Sequence, residues 1–248
     1  MALFHIFWRE FKTYFLSPVG YFVIIGFLLF NGYIYWLMLS WVGSRPTTPA
    51  SMDPLTILMS GLIFMITAAG IIPMITMRLF AEEKRTGSIE LLLTAPVRDY
   101  EVVAGKFLAG WFFYLALWVP TLVYLWIMLA NLDFTPDLGP VWACYLGVVM
   151  MSFAFVAVGT MFSSFTKSQM LAFGLTFAFL VVLFFLGFAA DQVPGRALRE
   201  ILSYIGVHRY MDDFSRGLID SRAVVYFLSM GLMALFITVR SIEARKWR

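Results

Sequence analysis

Two histidines, His5 and His208, and one cysteine, Cys144, are the entire stock of imidazole and thiol in this 248-residue chain. A zinc site of the usual kind draws three or four ligands from such residues, and three groups scattered along the chain do not supply them. One cysteine cannot form an intrachain disulfide. No G-x-x-x-x-G-K-[ST] loop occurs, since Gly105-Lys106 is followed by Phe107 and lacks the preceding glycine. The chain therefore has no P-loop with which to cradle nucleotide phosphates. The polar residues that could act in concert are concentrated in two places. One is the segment Arg78 to Lys106, with the paired acids Glu82 and Glu83 followed by Lys84 and Arg85. The other is the run 191–222, where five arginines are balanced by five acids, Asp191, Glu200, Asp212, Asp213 and Asp220.

The elements that must position these segments are apolar. Hydrophobic residues make up 61% of the chain and charged residues 13%, about half the share of a soluble domain. Mean hydropathy is +0.85. Six stretches contain no Asp, Glu, Lys, Arg or His: Val19–Trp41, Leu55–Met77, Phe107–Ala130, Leu138–Phe165, Met170–Ala190 and Ala223–Val239. A helix needs about 20 residues to cross a bilayer, and the last stretch is at the short end of that range. Continuous apolar runs favour helices over the strands of a barrel, which would show short alternating segments. The expected fold is an all-α membrane protein with six transmembrane helices forming a single domain over 1–248. Spans empty of ionisable groups lack the intramembrane carboxylates of ion-coupled transporters and the acid, base or nucleophile sets of an intramembrane enzyme. Pro73 and Pro120 are expected to bend their helices. Gly147, Ser152, Ala154, Ala157 and Gly159 in the fourth span permit close helix packing.

Six spans put both termini on one side. That side collects 12 of the 18 Lys and Arg residues, and the other holds Arg45 with the arginines at 196, 199, 209, 216 and 222. The bias places both termini in the cytoplasm and makes 191–222 an external segment. Ahead of the first span, Phe4, Phe7, Phe11 and Phe15 recur at helical spacing, with His5, Arg9, Glu10 and Lys12 mainly on the other side. Residues 1–18 are therefore expected to form an interfacial amphipathic helix, turned into the bilayer at Ser17-Pro18.

The segment 78–106 starts as a continuation of span two. Glu82, Glu83, Lys84 and Arg85 are expected to carry it into water. Thr86-Gly87-Ser88 breaks that helix, and Ile89 to Thr94 forms a short one with Glu90 in its first turn. Pro96 ends it, and Asp99 is expected to cap span three. Leu91, Leu92 and Leu93 are too apolar for a short helix in water and call for a protein surface to pack on.

The order Arg78, Phe80, Glu82-Glu83, Gly87, Glu90, Leu91-Leu92, Pro96 and Gly105-Lys106 resembles the signature of the ABC type 2 exporter permeases, with Ser88 where that family more often has Thr. Arg9-Glu10-Phe11-Lys12, Ser17-Pro18-Val19-Gly20-Tyr21 and the run from His208 to Asp220 resemble the gliding-motility type (GldF-like) of these half-size membrane subunits. The resemblance implies that 78–106 carries a cytoplasmic coupling helix between spans two and three, seated in a cleft of a separate ATPase subunit. Glu82, Glu83, Arg85, Gly87, Glu90 and Leu91 would form its transmission surface. It further implies a bacterial inner membrane location, two ABC ATPase subunits, a second permease copy as homodimer partner, and a companion membrane subunit with an extracytoplasmic domain. No cofactor would be bound by this chain, because ATP and Mg belong to the partner ATPase. His208, Arg209, Asp213 and Arg216 would form an external gate or partner contact, on short helices that return partly into the membrane. A different class of function, an energy-independent membrane scaffold recruiting cytoplasmic factors, would use the same leucine-rich segment. The small net charge of +3 suggests no nucleic-acid partner.

Overall fold

The computed structural model describes residues 2–43, 54–88, 98–131 and 137–244, and all regular structure among them is helical. In chain order the helices are α1 (Ala2–Leu16), α2 (Pro18–Gly43), α3 (Pro54–Ser60), α4 (Leu62–Thr76), α5 (Ala81–Thr86), α6 (Asp99–Trp118), α7 (Leu122–Asn131), α8 (Leu138–Phe165), α9 (Gln169–Gln192), α10 (Arg196–Ile205), α11 (Val207–Ser215) and α12 (Ser221–Glu243). Among the described residues, six stretches are long and apolar enough to cross a membrane: Pro18–Trp41, Leu62–Thr86, Asp99–Ala130, Leu138–Phe165, Gln169–Ala190 and Ser221–Glu243. The expected all-α, six-span architecture is what the chain adopts. Large apolar side chains such as Phe22, Leu29, Trp126, Phe185 and Met233 lie on the outside of the bundle, where only lipid solvates them favourably.

The second span differs from expectation. The apolar run Leu55–Met77 is not one helix, because Gly61 takes an extended backbone with ψ 168° and separates α3 from α4. Helix α3 is buried against α2, α8 and α11. The spanning helix starts at Leu62 and continues through the turn 77–80 into α5. Pro73 is accommodated inside α4. Pro120 lies in a 3-10 turn, Val119–Thr121, between α6 and α7. The sixth span is longer than its charge-free run, because Asp220 caps it by accepting the Arg222 N–H at 2.9 Å and the helix continues to Glu243.

Helix α8 is the axis of the bundle. Two thirds (67%) of its most apolar stretch is buried, against 28–50% for the other spans. It packs on α3, α4, α6, α9, α11 and α12. Its small residues allow this. A Cβ at Gly159 would overlap the Thr76 side chain of α4, and one at Gly147 would lie 2.7 Å from the Phe214 ring of α11. Gly147 is ~14 Å along α8 from Leu138 at 1.5 Å per residue, so α11 reaches well into the bundle.

The aromatic helix α1 packs along α6, with Tyr14 stacked on Phe113 at 4.7 Å and Phe7 edge-on to Phe112 at 5.6 Å. Its outward face carries Phe4, Trp8, Arg9 and Lys12. Glu10 is a departure from the expected polar face: it points inward.

Candidate functional site

The turn joining α4 to α5 is held by a side chain from another span. Ser163, near the end of α8, accepts the Phe80 and Ala81 N–H groups at 3.1 and 3.2 Å and donates to the Met77 carbonyl at 3.2 Å. One hydroxyl thus uses its donor and both lone pairs on backbone groups that the interrupted helix leaves open. Lys84 was expected in water and is instead 4% exposed. Its Nζ donates to the Ser164 carbonyl in the last turn of α8. A cation there complements the negative end of the helix dipole, which is the reason it turns inward. Leu79 and Phe80 pack with Val102, Val103 and Ile242. The start of the polar segment is therefore a junction of five helices.

At the centre of that junction is Lys106 of α6, 1% exposed. Its Nζ donates to Glu83 of α5 at 2.7 Å and to Glu10 of α1 at 3.1 Å. The Phe80 ring lies 5.5 Å below the ammonium. Lys106 reaches this position because the next residue back is Gly105, where a Cβ would come 2.9 Å from Ile6 and push α1 off α6. Burial alone would raise the Glu10 carboxyl, but the charges of Lys106 and Arg9 outweigh it and leave Glu10 below its ordinary value. Tyr14, raised by burial and by the Glu10 charge, keeps its proton and donates to the Ile75 carbonyl at 2.9 Å. Arg78 stands beside this cluster, with Nη1 at 3.5 Å from the Ser17 hydroxyl.

Of the residues expected to form a transmission surface, Glu82 lines a cleft with Glu10, Arg78 and Glu83. Glu83 is turned into the ion cluster, its side chain 18% exposed. Arg85 faces outward. Gly87 ends α5 at φ 77°, a left-handed conformation that L side chains disfavour. Glu90 and Leu91, with the proposed helix Ile89 to Thr94 and Pro96, lie outside the described residues. Asp99 is not the cap of α6 but its first residue. The position before it, Arg98, donates its N–H to Glu101 at 3.1 Å. The sequence reading overlooked the partnership of Lys106 with Glu10 and Glu83, and the role of Ser163. The only local signal was a glycine next to the lysine.

At the opposite end of the bundle, α10 and α11 form two short helices. Arg209 and Asp213 line one cleft of about 260 Å³ with Glu200, Tyr204, Asp220 and Arg222. Arg216 instead pairs with Asp212 at 2.7 Å. His208 lies flat against Phe188 of α9, ring centroids 4.3 Å apart, and its buried Nδ1 has no hydrogen-bond partner among the described residues. The four residues expected to act together are therefore in three environments. Tyr210 and Tyr226 fasten the turn between α10 and α11, donating to the carbonyls of Tyr204 and Ile205 at 2.8 and 2.7 Å. Burial, with the neighbouring Tyr204, pushes the Tyr210 phenol up to about 12.

Among the described residues, no group of His, Cys, Asp and Glu is arranged to hold a metal ion. Compared with protein-family models, residues 53–240 match that of the ABC-2 family transporter proteins. No curated protein matches the chain significantly.

Proposed function

The chain belongs to the ABC-2 family of transporter proteins, membrane permease subunits of ABC transporters, and from that premise we propose that it converts ATP turnover on a partner ATPase into movement of its own helices. The observation that carries this reading is the buried Lys106, bonded at once to α5 through Glu83 and to α1 through Glu10. Together with Ser163 it ties the segment leading to 89–97 to α1, α6 and α8. A push on that segment by a partner is thereby delivered to several helices and not absorbed by a loose loop. ATP binding to the partner shifts the permease only through contacts that differ between its two states. In this reading 78–106 carries the coupling helix, facing the cytoplasm with both termini, and ATP and Mg stay on the ATPase.

Two copies of the chain, related by a twofold axis, form the transport unit with two ATPase subunits. The cargo is amphipathic or lipid-linked, as suits spans without charge, or else the motion itself is passed to an extracytoplasmic partner. The segment 191–222 serves as the outer gate, since α11 fills the bundle over Gly147. The finer likeness to gliding-motility permeases leans on the N-terminal motif, which precedes the matched range 53–240, and on His208 to Asp220.

The test is ATP hydrolysis by the purified complex carrying Glu82→Arg with Arg85→Glu, a swap that keeps net charge and spares the buried Glu83. The expected result is a fall to the rate of the ATPase alone, with thermal stability unchanged. A wild-type rate would overturn coupling through this segment and favour a scaffold.

A further inference from the structure

Three cavities follow one another from the junction of α1, α5 and α6 into the seam between α2 and α4, and their walls change from charged to apolar. The first, about 180 Å³, is lined by Ser17, Arg78, Glu82 and Glu83 among others. A narrow second one of about 20 Å³ shares Tyr14, Ser17 and Arg78 with it, and shares Val23 and Met74 with the third. The third, about 290 Å³, is a groove between Phe22, Gly26 and Phe30 on α2 and Ile66, Gly70 and Met74 on α4. Its one hydroxyl, Thr67, is already spent on the Ile63 carbonyl at 2.7 Å. Gly26 and Gly70 are the floor: a Cβ at either would meet nothing within 4 Å.

We infer that this track holds one phospholipid whose headgroup bears both a phosphate and a primary amine, with an acyl chain laid in the α2–α4 groove. The charged end is built for that headgroup. Arg78 Nε and Glu83 Oε2 are buried and lack hydrogen-bond partners among the described residues, a costly condition unless a ligand supplies them. The guanidinium of Arg78 and the hydroxyl of Ser17 suit a phosphate. Glu82 and Glu83 accept from an ammonium and repel a headgroup that is purely anionic. The length agrees as well. From Arg78 to Ile66 the wall runs ~18 Å at 1.5 Å per residue, against ~15 Å for one leaflet of hydrocarbon. The aromatic helix α1 lies alongside the charged end, at the level where headgroups begin.

Binding is measured by native mass spectrometry on the delipidated full chain, titrated separately with phosphatidylethanolamine, phosphatidylcholine and phosphatidylglycerol of identical acyl chains. Phosphatidylethanolamine is expected to bind tightest. Arg78→Ala and Gly70→Leu should each weaken it by ~10-fold or more, the loss of a charge-assisted bond or of the groove. Gly174→Leu is the control, since Gly174 also has open space beside it but lies on α9, and it should bind like wild type. Soluble phosphoethanolamine should fail to compete. Phosphatidylglycerol binding as tightly as phosphatidylethanolamine would overturn the amine assignment. Gly70→Leu behaving like Gly174→Leu would overturn the acyl groove, and competition by the soluble headgroup would reduce the site to an ion cleft. None of these outcomes depends on ATP turnover, so the inference stands or falls apart from the proposed coupling.

Discussion

Replacing Lys106 by Met removes one charge and keeps the length and apolar stem of the side chain. It leaves Glu10 and Glu83, now without the cation that sat 3.1 and 2.7 Å from them, in a site where their side chains are 17% and 18% exposed. Breaking a buried ion pair by removing one partner costs ~3–5 kcal/mol. Residual exposure of both acids, and the Arg9 guanidinium still 2.8 Å from Glu10, put this case at the low end, ~3 kcal/mol. For a chain of this size the melting temperature should then fall by about 6–12 °C. The protein carries its own probe for the measurement. Cys144 is the single cysteine and is fully buried in α8, so a thiol-reactive dye reports opening of the bundle axis on heating. The triple variant Glu10→Gln, Glu83→Gln, Lys106→Met removes Lys106 together with both of its carboxylates, leaving only the exposed Arg9 beside position 10, and should recover to within ~1 kcal/mol of wild type, because neutral replacement of a buried ion set is close to neutral in stability. In the assembled complex the same triple variant should still lose ATPase stimulation, since α1 and α5 are no longer tied to α6. A Lys106→Met melting curve within about 2 °C of wild type would refute the cluster as a fastening. A triple variant as unstable as the single one would show that packing, and not charge, makes the site.

Ser163→Ala removes three hydrogen bonds to the backbone of the α4–α5 turn, and should cost ~1–3 kcal/mol, the range for buried donors left unmet. Hydrogen exchange at Phe80 and Ala81 should accelerate before any other amides of α4 do; exchange unchanged there would mean the serine is not what holds the turn. Acid should act through Glu10. Its folded value is lowered, so its contribution is fully present above the ordinary carboxylate value of 4.5 and is lost as pH falls through the lower folded value. Melting temperature should hold steady from neutral pH down to that region and then fall more steeply in wild type than in Glu10→Gln. Parallel curves for the two proteins across the acid range would remove Glu10 from the account.

What could be read from the sequence was whatever depends on neighbours in the chain. Uninterrupted apolar runs located six spans to within a few residues at most ends, and the period of Phe4, Phe7, Phe11 and Phe15 announced α1. The break at Gly61 was missed because the residues on both sides are equally apolar, and hydropathy does not register a change of backbone direction. Lys84, Glu83, Lys106 and Glu10 were misplaced for a related reason. Charges beside a span end are normally in water, and the partners that bury these are distant: Lys106 and Glu10 are 96 positions apart, and Lys84 and Ser164 are 80. Gly105 was the available hint. A glycine next to a lysine at the start of a span marks a place where another backbone comes close enough to cover the charge.

The location of the cluster also has a physical reason. Within a bilayer, lipid tails solvate a leucine face as well as another helix does, so apolar area does not select one arrangement of helices over another. Selection has to come from close fits and from polar bonds between helices. This chain uses the first along α8, where Gly147 and Gly159 admit Phe214 and Thr76. It uses the second at the end of the bundle, where water is near enough to keep the desolvation cost tolerable yet excluded enough to keep the bonds strong. A lysine that needs two carboxylates from two other helices is satisfied only when α1, α5 and α6 are all seated. Displacing α6 strands both carboxylates, and displacing α1 or α5 takes away one of the two acceptors of the lysine, so movement of one helix is felt by the others. Such mutual dependence suits the proposed coupling, and it distinguishes this corner of the molecule from the charged segment 191–222, whose ion pairs, Arg196 with Glu200 and Arg216 with Asp212, each lie within one helix on an exposed surface and tie no helix to another.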